Sequence, residues 1–366
     1  MTTENLSTPA ILLLEASSIC QLSCPSCPTA EGKIDESVGR GFLRFDYFKQ
    51  LVDNNPDISC IELSNWGEIF LNPDLPQIME YAYKRGVKLK AENGVNLNTA
   101  KKEALEAAVK YRFRYLNCSI DGATQEVYEI YRRRGHLANV LDNIRNINAY
   151  KKQYNSPFPE LQWQFIMHGH NEHEILVAKK MAEELNMRFF LKLQWGDMYG
   201  ETFSPVRDRE FIRSVQANQV ADRKEFAEKF SRDYIQPCVQ LWQTPQVNYD
   251  GKLLGCCINH WSDFGTVNGA DVHGAINNEK MSYARDMLMG KAKAKDDIPC
   301  STCSIYKEKS ASSSWMTTDD AYKNLYIPPK FFGSARAYNI LVNKLLTGSN
   351  QRFLKRIRSK LDRLSH

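Results

Sequence analysis

Three cysteines near the start of the chain have the spacing of a metal centre. Cys20, Cys24 and Cys27 follow a C-x3-C-x2-C pattern, so one short loop can present three thiolates together. A [4Fe-4S] cube ordinarily takes four thiolates, and three leave one iron open to a small chelating molecule. A zinc knot completed by a distant fourth ligand is the alternative reading of the same residues. Five more cysteines, Cys238, Cys256, Cys257, Cys300 and Cys303, fall in a second group, and Cys300-x-x-Cys303 is a chelating pair. Four thiolates from that group suffice for a fully ligated [4Fe-4S] cluster or for a four-cysteine zinc site. Only Cys60 and Cys118 stand alone. Thiols in the cytosol stay reduced, so this clustering argues for metal ligation rather than disulfides.

The rest of the composition agrees with that setting. The 366 residues are enough for one large domain and a smaller one, and 43% apolar with 25% charged residues is ordinary for a soluble protein. Residues 1–10 are polar and the first apolar run is only Ile11 to Leu14, which excludes a secretory signal. No apolar run reaches the length of a membrane span, so a cytoplasmic location is expected. The net charge is +5, and the last fifteen residues, with six Lys or Arg and one Asp, supply all of it. The remainder is neutral, so no nucleic-acid partner is expected.

Alternating strands and helices must hold these groups. Strands are predicted over Ile11–Glu15, Ser59–Ser64, Val87–Ala91, Tyr115–Asp121, Leu161–Met167 and Arg188–Leu193. Helices are predicted over Phe45–Asp53, Asp74–Arg85, Thr99–Tyr111 and from strand four to about Tyr150. Asn98 and Thr99 are capping types, Gly86 suits a left-handed helix end, and Asn171 with Glu174 has the spacing of a capping box for the next helix. Six such units imply an α/β fold with a parallel sheet and right-handed crossovers, a partial (β/α)6 TIM-like barrel rather than a closed one of eight. Ligands then belong at the C-terminal strand ends. The cysteine loop follows strand one, Gly67 and Glu68 follow strand two, and Ser119 and Asp121 end strand four, all on one rim. We read residues 1–200 as this barrel, 201–235 as a charged helical linker, 236–310 as a small metal-stapled module and 311–366 as a helical tail. In the tail, Phe353, Leu354, Ile357, Leu361 and Leu364 form one helical face ringed by basic residues. That pattern fits an anionic membrane surface, an acidic partner, or packing on its own domain.

In spacing and order the chain resembles the radical S-adenosylmethionine (SAM) superfamily, whose signature is the C-x3-C-x2-C loop after the first strand. The resemblance assigns a SAM-binding [4Fe-4S] cluster to Cys20, Cys24 and Cys27. Asn65-Trp66-Gly67-Glu68 resembles the family's Gly-Gly-Glu-Pro element, departing at Trp66 and Ile69, and so gives Gly67 and Glu68 the methionine amino group. Glu92-Asn93-Gly94 stands where the family often has Thr-Asn-Gly, which makes Glu92 a cofactor contact. Ser119 and Gln164 are expected to meet the cofactor as well. Strand alternation puts Asn117, Ser119 and Asp121 on one face and turns Cys118 into the core. Cys238-x12-Gly251-x4-Cys256, followed by Cys300-x2-Cys303, resembles a SPASM module cut short, as in the Twitch subclass. It implies an auxiliary [4Fe-4S] cluster on Cys238, Cys256, Cys300 and Cys303. The spacing from Gly251 favours Cys256 over Cys257, and Asp250-Gly251 is the expected hairpin turn.

The resemblance implies reductive cleavage of SAM to a 5′-deoxyadenosyl radical and hydrogen abstraction from a substrate. A flavodoxin- or ferredoxin-type protein is the implied electron donor. An auxiliary cluster suits oxidation of a small, carbohydrate-like molecule. A peptide- or protein-modifying maturase (oxidation, crosslink or epimerisation) is the second reading, and a non-catalytic iron–sulfur scaffold the third. The early start of the cysteine loop leaves no room for an N-terminal peptide-binding or cobalamin domain in this reading. Gln162, Gln164, His168, Lys192 and Gln194 are predicted to point into the barrel toward substrate. Arg132-Arg133-Arg134 reads as an anion site or as a solvated helix end.

Overall fold

The sheet begins with β1 (Ile11–Leu14), and each of the next five strands is reached through helix. In chain order the elements are α1 (Phe45–Asn54), β2 (Cys60–Glu62), α2 (Leu75–Lys84), β3 (Lys88–Val95), α3 (Lys102–Lys110), β4 (Tyr115–Ser119), α4 (Gln125–Tyr131) and α5 (Leu137–Gln153). Then come β5 (Glu160–Ile166), α6 (Ile175–Glu184), β6 (Arg188–Lys192), α7 (Arg209–Val215), α8 (Arg223–Phe230), α9 (Gln240–Gln243), β7 (Gln246–Val247) and β8 (Leu253–Gly255). The chain continues through α10 (Val272–Ile276), α11 (Glu279–Leu288), α12 (Ser304–Ser312), α13 (Thr318–Tyr322) and α14 (Ala335–Leu345). This is a computed structural model, and it describes residues 7, 9–196, 202–323 and 325–346. The amphipathic segment 353–364 lies outside the described residues. Among them no helix is long and apolar enough to cross a membrane.

The strands lie in the order β6-β5-β4-β3-β2-β1-β7-β8. β1 to β6 pair in parallel, β7 joins β1 in parallel, and β8 turns back antiparallel on β7. The result is a partial TIM-like barrel. Side-chain alternation divides each strand between two environments. Leu12, Leu14, Ile61, Leu63, Leu89, Leu116, Trp163 and Phe165 are buried on the outer face under the helices. Glu62, Asn117, Ser119, Gln162 and Gln164 are buried on the inner face, which is polar. Apolar residues at helical spacing, such as Phe48, Leu51 and Val52 of α1, close the outer layer. The same core runs on through Leu253, Phe264, Met281 and Met287, so the cysteine-rich C-terminal segment is packed against the barrel.

Three local expectations change. α3 starts at Lys102 rather than beside Asn98 and Thr99. Asn98 is buried instead, its amide donating to Tyr128 Oη at 2.8 Å and its oxygen accepting from the His136 N–H at 2.6 Å. The helix expected after β4 breaks into α4 and α5 at Arg134 (φ 66°) and Gly135, where a Cβ would come 2.7 Å from the Arg132 carbonyl. Asn171 and Glu174 form no capping box. Asn171 secures the β5 loop to the Asp121 and Ile166 carbonyls, and Glu174 receives Ala123 N–H and Thr124 Oγ at the start of α4. Tertiary partners outcompete the local cap in both cases. Gly86 ends α2 in the left-handed region as predicted, at φ 72°.

Candidate functional site

The cysteine loop is anchored before it reaches Cys20. Glu15, just past β1, is fully buried, and its carboxylate accepts the N–H groups of Trp66 at 3.1 Å and Gly67 at 3.3 Å. Burial pushes its pKa up to about 8. The Glu68 N–H donates to the Ile19 carbonyl at 2.9 Å. A Cβ on Gly67 would overlap the Ser17 carbonyl and lie 2.7 Å from Ile19 N, so the two loops touch backbone to backbone. The Glu68 carboxylate is also engaged, receiving Phe70 N–H at 3.1 Å and Asn96 N–H. Asn96 in turn places its amide 3.7 Å from Cys20 Sγ. Gly67 and Glu68 therefore brace the loop from behind.

Cys20, Cys24 and Cys27 are free thiols grouped with Leu22, Tyr131, Ile166 and Phe203. Burial raises the Cys20 thiol to about 12 and the Cys24 thiol to about 11. Arg132 reaches them from the end of α4. Its Nε donates to Asp121 Oδ2 at 2.6 Å, and its Nη1 lies 3.7 Å from Cys24 Sγ. Asp121 is itself fully buried and accepts the Ile166 N–H at 2.6 Å. Arg132 is thus no solvated helix end, because a buried carboxylate draws it inward. Cys24, Cys27, Ser119, Arg132, Gln164 and Lys192 line one cavity at the C-terminal strand ends, with Asn65, Trp66, Asn93 and Trp195. Along its floor Gln164 Nε2 donates to Ser119 Oγ at 3.3 Å, while Gln164 Oε1 accepts from Asn117 at 2.8 Å and from Lys192 Nζ at 3.1 Å.

Other sequence-derived positions fall elsewhere. Glu92 does not reach this cavity. β3 shifts register between Ala91 and Val95, which leaves Glu92 paired with Lys90 at the opposite mouth of the barrel beside Cys60 and Lys88. Asn93 faces the cysteine cavity in its place and donates to the Ser64 carbonyl at 2.8 Å. Gln162 is bonded to Asn117 at 3.1 Å within the barrel. His168 packs behind Tyr131, ring centroids 4.5 Å apart, with Nδ1 at the Phe203 carbonyl. Gln194 offers its carbonyl to Arg223 Nε at 2.8 Å. Cys118 is fully buried. The brace made by Glu15 had no sequence signal beyond a carboxylate at a strand end.

A second pocket gathers Cys238, Cys256, Cys300 and Cys303 among Leu241, Phe264, Leu288 and Tyr306. Gly251 turns the β7–β8 hairpin at φ 88° and delivers Cys256 to this pocket, while Trp261 Nε1 donates to the Pro299 carbonyl at 2.9 Å and ties its walls together. Cys257 goes the other way and lines the first cavity. Its N–H donates to Gln240 Oε1 at 2.7 Å and its carbonyl accepts Asn65 Nδ2 at 2.9 Å, which fixes that direction. Both donor sets are thiols alone, the set that iron–sulfur clusters and zinc favour. The first cavity also fits a polar ligand, because Asn65, Asn93, Ser119, Arg132, Gln164 and Lys192 line it. Among the described residues no three His, Cys, Asp or Glu side chains close to the spacing of a single metal ion.

Comparison with known proteins bears on the first cavity. Residues 14–180 match the family model described as Radical SAM superfamily. No curated protein matches the chain. Among solved structures, Streptococcus suis SuiB bound to S-adenosylmethionine is 12% identical with a TM-score of 0.57, over 83% of this chain and 73% of SuiB. SuiB bound to precursor peptide SuiA is 12% identical at a TM-score of 0.54, over 83% of this chain and 72% of SuiB. The protein anSMEcpe with bound AdoMet is 14% identical at a TM-score of 0.52, over 81% of this chain and 87% of its own. At these identities the structural likeness establishes the fold. The cysteine loop at the rim falls within residues 14–180, the part of this barrel that is similar to the radical SAM superfamily domain, a family that binds a [4Fe-4S] cluster and SAM.

Proposed function

We propose that this protein is a radical SAM oxidoreductase that oxidises a small, carbohydrate-like substrate with the help of an auxiliary [4Fe-4S] cluster. Cys20, Cys24 and Cys27 would hold a [4Fe-4S] cluster, which when bound would supply the electron for reductive cleavage of SAM and so initiate hydrogen abstraction from the substrate. A flavodoxin- or ferredoxin-type protein delivers that electron. Arg132, the cation 3.7 Å from Cys24 Sγ, would hold the methionine carboxylate. Ser119 and Gln164 supply hydrogen bonds from the floor, and Glu15, Gly67 and Glu68 keep the loop in position. Cys238, Cys256, Cys300 and Cys303 would hold the auxiliary cluster of a Twitch-like module spanning about residues 236–310.

The observation that carries the oxidative reading is the adjacency of Cys256 and Cys257. One peptide bond joins the four-thiol pocket to the cavity, so Cys238, Cys256, Cys300 and Cys303 would hold an electron-accepting cluster one residue from the Cys257 wall of the substrate cavity. Anaerobic reconstitution tests it. About eight irons, four per cube, and 5′-deoxyadenosine formed from SAM and dithionite are the expected result. Stoichiometric zinc in the four-thiol pocket, or SAM left intact, would overturn it.

The Cys257 thiol on the cavity wall favours one further reading. If it returns a hydrogen atom to the substrate radical, the outcome is epimerisation, and the thiyl left behind needs one electron from the iron–sulfur donor and one proton. Solvent deuterium at a substrate carbon, without change of redox state, would select this reading over oxidation.

A further inference from the structure

The wall of the first cavity carries positive charge without matching negative charge. Among the described residues lining it, Arg132 and Lys192 are cations and none is Asp or Glu. Arg132 is held by Asp121, 2.6 Å from its Nε, and turns its Nη1 toward Cys24 at 3.7 Å. Among the described residues Lys192 has no such partner. Its Nζ donates to the neutral amide oxygen of Gln164 at 3.1 Å, and its other neighbour is the Trp195 ring, with the centroid at 5.1 Å. Arg223 lies over the same ring at 4.3 Å and brings further positive charge. A half-buried cation held only by neutral acceptors bears a desolvation cost that a bound anion relieves. Burial, then Arg223 and Arg132, push Lys192 down to about 8, against the pull of Asp121 and Cys257, as expected for a cation short of counter-charge.

We infer that the substrate of this cavity carries an anionic group, a carboxylate or a phosphate, and that Lys192 receives it. This rests on the reading of the cavity as the SAM and substrate site. SAM brings one carboxylate of its own, but Arg132 is the cation in reach of the cysteine loop. Lys192 belongs to the wall built by β5, β6 and Cys257. A neutral sugar leaves Lys192 unmatched, whereas a sugar acid or a sugar phosphate satisfies it.

The test uses the reconstituted holoenzyme under anaerobic conditions with saturating SAM. Limited acetylation by N-succinimidyl acetate is followed at Lys192 by peptide mass spectrometry, with exposed Lys179 and Lys180 as internal references. Sodium phosphate, sodium acetate and neutral acetamide are compared at equal ionic strength. An anion at about four times its Kd is expected to slow labelling of Lys192 about fivefold, by the factor 1 + [L]/Kd, and acetamide to leave it unchanged. Stronger protection by phosphate identifies a phosphate ester, and stronger protection by acetate a carboxylate. Equal protection by acetamide, no protection by either anion, or complete loss of labelling with SAM alone would overturn the inference, the last by placing Lys192 in the SAM site. Formation of 5′-deoxyadenosine by the same preparation is scored separately, so a failure of the radical SAM reading shows there.

Discussion

Cys256 and Cys257 are consecutive residues that line different cavities, the first among the four thiols and the second beside Lys192 and Trp195. The hydrogen bonds from Cys257 N–H to Gln240 and from Asn65 to the Cys257 carbonyl hold that division in place. If Cys256 is a ligand and Cys257 is not, alanine at the two positions must act differently. Cys256→Ala is expected to lose the auxiliary iron, about four of about eight atoms, while Cys257→Ala keeps all of it. Iron analysis of the two reconstituted variants decides, and equal iron in both would remove the assignment.

Arg132 and Asp121 form a buried ion pair at 2.6 Å, with the carboxylate fully buried and the guanidinium nearly so. Removing one partner of such a pair strands the other charge, at a cost of about 3–5 kcal/mol. Arg132→Met is expected to destabilise the fold by that order and to weaken SAM binding. Asp121→Asn in the same chain should recover part of the stability but not the SAM affinity. Denaturant titration and equilibrium SAM binding separate the two effects. A single variant within about 1 kcal/mol of wild type, the range of exposed pairs, would show that the pair is solvated.

Gly67 touches the cysteine loop through backbone alone, so Gly67→Ala should push Ser17 and Ile19 outward and loosen Cys20. The expected result is loss of iron from the first cluster, with the auxiliary cluster retained. Electron paramagnetic resonance of the reduced protein, with and without SAM, reports it. A SAM-responsive signal of full intensity would mean that the loop tolerates the methyl group.

How much of this was legible before folding depends on whether a signal is local. The six parallel strands follow from short apolar runs between amphipathic helices, and the cysteine groups follow from spacing. The hairpin at Gly251 follows from an Asp-Gly pair. What could not be read is contact across the chain. Glu92 was a reasonable cofactor contact until the irregular register of β3 turned it to the other mouth and Asn93 to the cavity. Arg132 looked like part of a solvated basic run because Asp121 lies 11 residues earlier, between β4 and α4, yet is adjacent in space. Glu15 carried no motif, although it joins the two loops that build the rim.

Stability against pH gives the last test, and its sign follows from where the carboxylates sit. Glu15, Glu62 and Glu68 are buried at the ends of β1 and β2, and burial raises them to about 8, about 7 and about 7. In the unfolded chain the same groups titrate near 4.5. Between about pH 4.5 and 8 the folded state therefore binds more protons than the unfolded state, and stability falls as pH rises through that window. Glu15→Gln keeps one oxygen to accept the Trp66 and Gly67 N–H groups and cannot ionise. Its stability relative to wild type should therefore improve steadily from about pH 5 to about pH 8, at up to about 1.4 kcal/mol per pH unit from this one site. Glu62 and Glu68 continue to titrate in both proteins and cancel in the comparison. Anaerobic denaturant midpoints across the range measure the difference, and a difference independent of pH would mean that Glu15 is already ionised in the folded protein at the low end.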